Sequence, residues 1–273
     1  MALATAGFSL GIRPLSSLLP HEEVIPRHVQ QVAAEMARDK IQRDPIIIER
    51  ESAVVLDGMH RLAAFRELKI ENAVCCSVEY SSTSVSLGRW ARVYGMKEGD
   101  RVTDALAEVG GTKRANLAEA FSALDRRDAS FAVLTPDAAF LSDGKQGHEH
   151  IVSSVAALDR MAERRGWERG FVSEDEVDVP LQDPRKVVVL LRRLTKEDVV
   201  SAARSGRLFP CKTSMHAIDP RPVAVDFPIA ELNDADTAKL KRWLGGNEGK
   251  ILPRGSSYGG RRYKERLLVL SKD

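Results

Sequence analysis

The segment 57–61 reads Asp–Gly–Met–His–Arg, and its residue types and spacing suit phosphate binding. An apolar, partly β-branched run precedes it and apolar residues at helical spacing follow it, which predicts a strand, a tight glycine turn and a helix. Such a turn points unpaired helix N–H groups at an anion, and Gly58 lets a phosphate approach closely. His60 and Arg61 lie in the first turn of this helix, where the helix dipole does not stabilise a positive charge. Their presence there therefore favours a negatively charged ligand. Asp57 ends the strand, where a site residue or a magnesium contact is expected, unless it only caps an ordinary turn.

A second group of donor-rich side chains lies in the segment 206–216, which follows no amphipathic period. Four such residues stand within five positions, a density that suits a ligand with a carboxylate or a phosphate. They are Lys212, Thr213, Ser214 and His216.

Other residues that could do chemistry also have ordinary structural explanations. The acids Glu22 and Glu23 precede a predicted helix, where carboxylates usually interact with the helix dipole. Trp90 is of a residue type that more often belongs to a core than to a ligand site. His148–Glu149–His150 places its histidines on different helix faces, so we predict a helix entry and not a metal site. Gly144–Lys145 lacks the spacing of a Walker-type phosphate loop.

Strands and helices alternate along the chain and must position these residues. The first ~90 residues predict a compact αβ unit in which a hairpin leads into Asp57. We expect an α+β fold with two parts, an N-terminal domain over 1–95 with a mixed sheet and helices, and a second α/β lobe over 96–273 that contributes the loop 206–222. Further predicted strands cover 8–12, 46–48, 73–80, 131–134, 138–141, 187–191 and 266–270, and further predicted helices cover 26–37, 100–109, 116–124, 150–165 and 195–204.

Composition indicates a globular protein with a substantial core: of 273 residues, 43% are hydrophobic and 29% are charged. The net charge of +2 is not the basic excess expected of a nucleic-acid-binding protein. The three cysteines have neither metal-ligand nor disulfide spacing, which favours a reducing, cytoplasmic environment. No segment approaches the roughly 20 apolar residues of a membrane span. Residues 1–19 lack the charged and apolar regions of a targeting peptide.

Several motifs together resemble a known family. The strand, the Asp–Gly–x–His–Arg turn and the helix resemble the signature of the ParB/sulfiredoxin superfamily. Within that superfamily, four motifs in this order resemble the free serine kinases, most densely over the first ~90 residues and 206–222. These motifs are Pro20–Glu23, Leu56–Arg61, Trp90 and Phe209–His216.

The resemblance implies a ParB/sulfiredoxin-like N-terminal domain and phosphoryl transfer from ADP or ATP to the hydroxyl of L-serine, giving O-phospho-L-serine with Mg²⁺ as cofactor. Archaeal members use ADP, and a siderophore-associated relative uses ATP. It implies that Glu22 is the general base, with Glu23 as the second candidate, and that Asp57 sits at the phosphate and magnesium centre. The residues implied to hold phosphates are Gly58, Met59, His60 and Arg61, with His60 also catalytic. Those implied to bind serine or the transferred phosphoryl group are Trp90, Lys212, Thr213, Ser214 and His216.

Two positions depart from the family pattern, which usually has His where this chain has Met59 and Arg where it has Met215. Losing an arginine removes a bidentate partner for a carboxylate or phosphate. The alternative function is a ParB-like nucleotide-binding protein, DNA-associated or regulatory, without kinase activity. The near-neutral charge and the lack of a clear helix-turn-helix count against DNA binding. A sulfiredoxin-like reductase would need a cysteine at position 59.

Overall fold

The structure, a computed structural model, describes residues 7–142, 147–233, 236–245 and 249–271. Gly144–Lys145 therefore lies outside the described residues. The chain forms two compact units: the first comprises Met1–Ser86, Lys196–Leu208 and His216–Asp273, and the second comprises Leu87–Thr195 and Phe209–Met215.

The predicted helices and strands are present in their predicted order. The helices are α1 Pro26–Asp39, α2 Met59–Glu67, α3 Val102–Val109, α4 Leu117–Asp125, α5 His148–Arg165, α6 Lys196–Ser205 and α7 Thr237–Leu244. The strands are β1 Phe8–Pro14, β2 Ile41–Gln42, β3 Ile46–Glu49, β4 Val55–Asp57, β5 Asn72–Val78, β6 Val85–Gly95, β7 Thr112–Ala115, β8 Phe131–Leu134, β9 Ala139–Ser142, β10 Glu168–Ser173, β11 Lys186–Leu191, β12 Ser214–Ile218, β13 Arg221–Val223, β14 Phe227–Pro228, β15 Lys250–Leu252, β16 Ser257–Tyr258, β17 Arg261–Arg262 and β18 Leu267–Val269. The structure adds strands that the sequence did not predict, among them the eleven-residue β6, the strands β2, β7 and β10, and the short strands between β11 and β18.

A four-stranded mixed sheet forms the centre of the first unit, in the order β1-β5-β3-β4. β5 pairs antiparallel with β1 and parallel with β3, and the predicted hairpin of β3 and β4 is present. All residues of β3 and β5 are buried, as expected for strands whose apolar runs do not alternate with polar residues. This mixture of strand directions with helices confirms the predicted α+β class.

The C-terminal part of the chain returns to this first unit. β14 pairs antiparallel with β2, and Thr237 Oγ1 accepts a hydrogen bond from Ile12 N at 3.3 Å. β13, β18 and β15 form a further three-stranded sheet. The segment 96–273 is therefore shared between the two compact units, because its later strands pair with elements of the N-terminal part.

A larger sheet organises the second unit, in the order β10-β6-β11-β8-β9-β7, with β12 also paired to β6. β11 is central and buried on both faces: Val187, Val189 and Leu191 pack in one apolar cluster with α5 residues, and Val188 and Leu190 pack in another with α4 residues. The alternation follows from the period of two along a strand.

The predicted polar loop 206–216 ends earlier than expected, because Ser214–Ile218 forms strand β12. The predicted helix entry at the His148 triplet is confirmed, since α5 begins at His148. Cys75, Cys76 and Cys211 are buried free thiols. In the described ranges, no helix combines the length and apolar character needed to cross a membrane.

Candidate active site

The turn between β4 and α2 has the predicted geometry. β4 ends at Asp57, Gly58 adopts a left-handed conformation with φ 102°, and α2 begins at Met59. Leu62 N donates the first helical hydrogen bond to Gly58 O at 2.8 Å. The N–H groups of the turn before Leu62 have no partner within the helix, which is the property that anion sites use.

Gly58 lies against the guanidinium group of Arg61. A Cβ atom at position 58 would stand 2.8 Å from Arg61 Nη2 and 3.0 Å from Arg61 Nε. The positive φ also disfavours any side chain at this position. The backbone conformation thus favours glycine here, and a side chain would in addition displace the Arg61 guanidinium group.

Replacing Gly58 with alanine should displace Arg61 and lower the free energy of unfolding by about 1–3 kcal/mol, the cost of left-handed backbone at a residue with a side chain. Gly170→Ala is the matched control, because Gly170 lies in β10 and nothing stands within 4 Å of an added Cβ. It should change stability by no more than about 0.5 kcal/mol. Urea unfolding measures both variants, and equal losses would contradict the requirement for Gly58.

The Asp57 carboxylate binds two guanidinium groups through one oxygen. Its Oδ2 accepts hydrogen bonds from Arg61 Nη2 at 2.9 Å and from Arg221 Nη1 at 3.0 Å. Burial raises the pKa of this carboxyl, but the charges of Arg221, Arg61 and Arg261 outweigh burial and hold the pKa well below its usual range. Asp57 is therefore an anion at neutral pH.

The other oxygen of Asp57 suits a magnesium ion that also binds phosphate. Neither guanidinium group hydrogen-bonds to Oδ1, and the side chain is 33% exposed. Among the described residues, no three His, Cys, Asp or Glu side chains group closely enough to hold a metal ion by themselves. Magnesium in nucleotide sites is commonly held by one or two carboxylates together with phosphate oxygens. Asp57 fits that kind of site.

Arg221 belongs to this cluster although no sequence pattern marks it. The side chain is 3% exposed. Besides binding Asp57, it donates from Nε to Glu265 Oε1 at 2.5 Å and from Nη2 to His216 O at 2.6 Å. One buried guanidinium group thus hydrogen-bonds to β4, to β12 and to the C-terminal segment. Local sequence patterns cannot predict such contacts between distant segments.

His60 and Met59 are more constrained than the sequence suggested. Ile25 N donates to His60 Nε2 at 3.1 Å, so this nitrogen carries no proton, a tautomer assigned from the hydrogen bond. His60 thereby fixes the entry into α1. Met59 is 9% exposed and belongs to the hydrophobic core. Only the backbone N–H of Met59 remains for phosphate binding.

Of the acid pair, Glu22 is buried and Glu23 is exposed. Glu22 Oε1 lies 3.6 Å from His21 Nε2, and His21 Nδ1 lies 2.7 Å from Val55 O. Leu19 and Val54 form a parallel bridge. The segment leading to Glu22 therefore runs beside β4, whose last residue is Asp57.

His216 completes the polar cluster of the first unit. Its Nε2 lies 2.8 Å from the Tyr80 hydroxyl, its ring meets the ring of His21 edge-on at 5.5 Å, and the side chain is 5% exposed. Burial, followed by the charge of His21, lowers the pKa of His216 to about 3. Its Nδ1 has no hydrogen-bond partner in the described part of the chain. His216 can therefore offer a ligand a neutral ring nitrogen and not a positive charge.

The second unit carries the other predicted ligand residues. Lys212 Nζ lies 4.7 Å from the centroid of the half-buried Trp90 ring, within cation–π range. Thr213 is 1% exposed, and its hydroxyl donates to Pro210 O at 2.7 Å, so it holds the turn. Ser214 is 7% exposed at the start of β12. Lys212 is the cation of this group.

The predicted residues thus fall into two sets, one in each unit. The first unit carries Glu22, Asp57, Gly58, Met59, His60, Arg61 and His216, and the second unit carries Trp90, Lys212, Thr213 and Ser214.

Sequence comparison relates the chain to serine kinases along most of its length. It is 23% identical over 235 residues to an ATP-dependent L-serine kinase of Staphylothermus marinus, covering 80% of this chain and 89% of the relative. It is 24% identical over 226 residues to the ADP-dependent L-serine kinase SerK of Thermococcus kodakarensis, covering 80% and 90%. A ParB-like protein of Sulfolobus acidocaldarius matches at 34% identity over 76 residues, 28% of this chain and 38% of the relative. No family model matches the chain.

Comparison with solved structures shows a shared fold. A free serine kinase in complex with AMP superposes with a TM-score of 0.68 at 20% identity, covering 82% of this chain and 93% of that one. SbnI from Staphylococcus aureus, with a C-terminal truncation, superposes with a TM-score of 0.67 at 17% identity, covering 85% and 92%.

Proposed function

We propose that this chain is a kinase of free L-serine, transferring the terminal phosphoryl group of ADP or ATP to the serine hydroxyl to form O-phospho-L-serine. The observation that carries the proposal is the anionic Asp57, bound by Arg61 and Arg221 at a glycine turn that opens a helix. These groups suit the terminal phosphates of a nucleotide. The relatives that match 80% of the chain include both an ATP-dependent and an ADP-dependent L-serine kinase, which supports the same reaction.

Glu22 is the proposed general base. A serine hydroxyl is a weak nucleophile and needs a carboxylate or imidazole to take its proton. As serine Oγ forms a bond to the terminal phosphorus, the bond from that phosphorus to the bridging oxygen breaks. The proton moves to Glu22, and the leaving group is AMP from ADP or ADP from ATP. His21, 3.6 Å from Glu22 Oε1, is placed to orient the carboxylate.

Phosphate binding is assigned to the ParB-like part, residues 1–95. Gly58 and the backbone N–H groups of Met59, His60 and Arg61, in the first turn of α2, are the proposed phosphate-binding groups. Asp57 Oδ1 would hold Mg²⁺, which when bound neutralises charge on the phosphate oxygens. Catalysis then rests mostly on positioning and on charge stabilisation.

Serine recognition is assigned to the loop 206–222 and to Trp90. Lys212 supplies an ammonium group that suits the serine carboxylate, and the Trp90 ring beneath it restricts where that ammonium lies. Ser214 offers a hydroxyl, and Thr213 supports the turn that carries Lys212. His216 offers its ring nitrogen Nδ1. Met215 replaces the arginine usual in the family, so this chain has one bidentate anion partner fewer.

A nucleotide-binding regulatory protein without kinase activity is the second candidate. The similarity to a ParB-like protein favours it, since that relative matches at 34% identity over 76 residues, 28% of this chain. DNA binding that weakens steeply with salt would support the DNA-associated form of this candidate.

The deciding experiment is incubation of the full chain with L-serine and Mg²⁺ in two parallel mixtures, one with ADP and one with ATP. We expect O-phosphoserine by phosphorus NMR, with AMP or ADP formed in equal amount. D-serine and a mixture without nucleotide are the controls, and chelation of Mg²⁺ should stop product formation. No O-phosphoserine with either nucleotide would refute the kinase function, and nucleotide binding without product would favour the regulatory candidate.

A further inference from the structure

Tyr263 of the first unit contacts two guanidinium groups. Its ring centroid lies 5.9 Å from Cζ of Arg221 and 4.8 Å from Cζ of Arg261. Both distances are within the range of about 6 Å in which a cation is attracted to an aromatic ring. The tyrosine is 8% exposed. Because Arg221 also hydrogen-bonds to Asp57, this ring links Arg261 to the proposed phosphate site.

Arg261 is carried on a backbone-paired hairpin. Strands β16 and β17 pair antiparallel, and the turn residues Gly259 and Gly260 have φ of 56° and 77°. Two consecutive positive φ values are what a two-residue hairpin turn of type I′ requires. The ladder continues to Tyr263, whose N–H donates to Ser256 O at 3.0 Å. The backbone on both sides of Arg261 is thus held in a defined conformation.

Arg261 differs from its two neighbours in what it binds. The side chains of Arg61 and Arg221 are hydrogen-bonded to carboxylates. The Arg261 guanidinium group instead contacts the Tyr263 ring and makes no side-chain hydrogen bond to the described residues. Through the Tyr263 ring, Arg261 lies near Arg221, which binds Asp57. A guanidinium group has five N–H donors, so Arg261 retains its capacity for an incoming anion.

We propose that Arg261 binds the terminal phosphate of the donor nucleotide and that Tyr263 is the residue that positions it. This role rests on the proposed serine kinase function and adds a residue to its phosphate site. During transfer, negative charge spreads over the equatorial oxygens of the phosphoryl group. A guanidinium group already held against Tyr263 stabilises that charge without having to be ordered first. The nucleotide product lacks this phosphate, so Arg261 would also favour donor over product.

The test compares Arg261→Ala with Arg262→Ala. Both residues are exposed members of β17, both variants lose one positive charge, and neighbouring side chains of a strand point to opposite faces. Calorimetric titration with AMP, ADP and ATP measures how much each added phosphate increases affinity. In Arg261→Ala, one of the two increments should shrink by about tenfold, as expected for a lost charge-assisted hydrogen bond. In Arg262→Ala, both increments should stay within about twofold of the wild-type values.

Turnover provides the second measurement. Arg261→Ala should lower kcat by about 10²-fold, the scale for losing one donor to transition-state charge, with KM for serine within about twofold. Tyr263→Phe should keep wild-type kcat because the ring remains, and Tyr263→Leu should reproduce part of the loss. If both increments are unchanged in Arg261→Ala, or if Arg262→Ala shows the same change, the proposed role of Arg261 is overturned.

The results that would refute the kinase function differ from those that would refute the role of Arg261. Wild-type protein would form no O-phosphoserine, while the titrations would still show whether one phosphate increment depends on Arg261. Wild-type turnover together with equal behaviour of the Arg261 and Arg262 variants would instead refute Arg261 and leave the kinase function standing.

Discussion

Glu22→Gln should lower serine phosphorylation by about 10²–10⁴-fold, the usual contribution of a general base, while nucleotide binding persists. Glutamine has nearly the same shape as glutamate but takes no proton at neutral pH. Because Glu22 lies beside His21 and is 8% exposed, the substitution removes the proton acceptor and preserves the packing. Measuring kcat from O-phosphoserine formation and nucleotide affinity by titration separates the two effects.

Glu23→Gln is the matched control for Glu22. It makes the same chemical change at the next residue, which is exposed, and it should leave kcat within about twofold. The sequence left either acid open as the base, and the difference in burial favours Glu22. An unchanged kcat in Glu22→Gln would remove Glu22 from that role, and a large loss in Glu23→Gln would transfer the role to its neighbour.

Arg221→Ala should lower the free energy of unfolding by about 3–5 kcal/mol, the scale for removing one partner of a buried ion pair. Arg221 is 3% exposed and binds Asp57, Glu265 and the backbone oxygen of His216. Without it, two carboxylates and a carbonyl each lose one hydrogen-bond donor. Urea unfolding of the purified variant measures the loss.

Arg254→Ala is the control for loss of an arginine from a surface ion pair. Arg254 bridges to Asp219 with 71% of its side chain exposed, so its removal should cost no more than about 1 kcal/mol. A double-mutant cycle of Arg221→Ala with Glu265→Gln should give a coupling of about 0.5–3 kcal/mol. Equal losses in the Arg221 and Arg254 variants would contradict a structural role for the buried guanidinium group.

Local patterns predicted the strand–glycine–helix turn and the helices and strands around it. The β4–Gly58–α2 geometry depends on an apolar run, a residue free to take positive φ and helical spacing after it, and all of these are properties of neighbouring residues. The β3–β4 hairpin and helices α1, α4 and α6 follow from the same kind of signal. The loop 206–216 was less well predicted, because Ser214–Ile218 becomes a strand only when β6 is present to pair with it.

Contacts between distant segments were not predictable in this way. Arg221 meets Asp57 across 164 residues of chain, and Tyr263 brings Arg261 near the same carboxylate from still farther along the sequence. The constraint on His60 depends on Ile25, 35 residues earlier. The spacing of these residues along the chain does not predict that they are close, because their proximity arises from sheet pairing and packing.

The sequence by itself determined which residue types could do chemistry: a glycine turn suited to phosphate, an acid pair before a helix, and a donor-rich loop, in an order that resembles the free serine kinases. Only the tertiary structure decided which of those groups are available. It buried Glu22 and exposed Glu23, placed the Met59 side chain in the core, and engaged His60 with a backbone N–H. The physical reason is that a residue's type sets what its side chain can do, whereas burial and hydrogen-bond partners, set by the packing of distant segments, decide its charge and which atoms remain for a ligand.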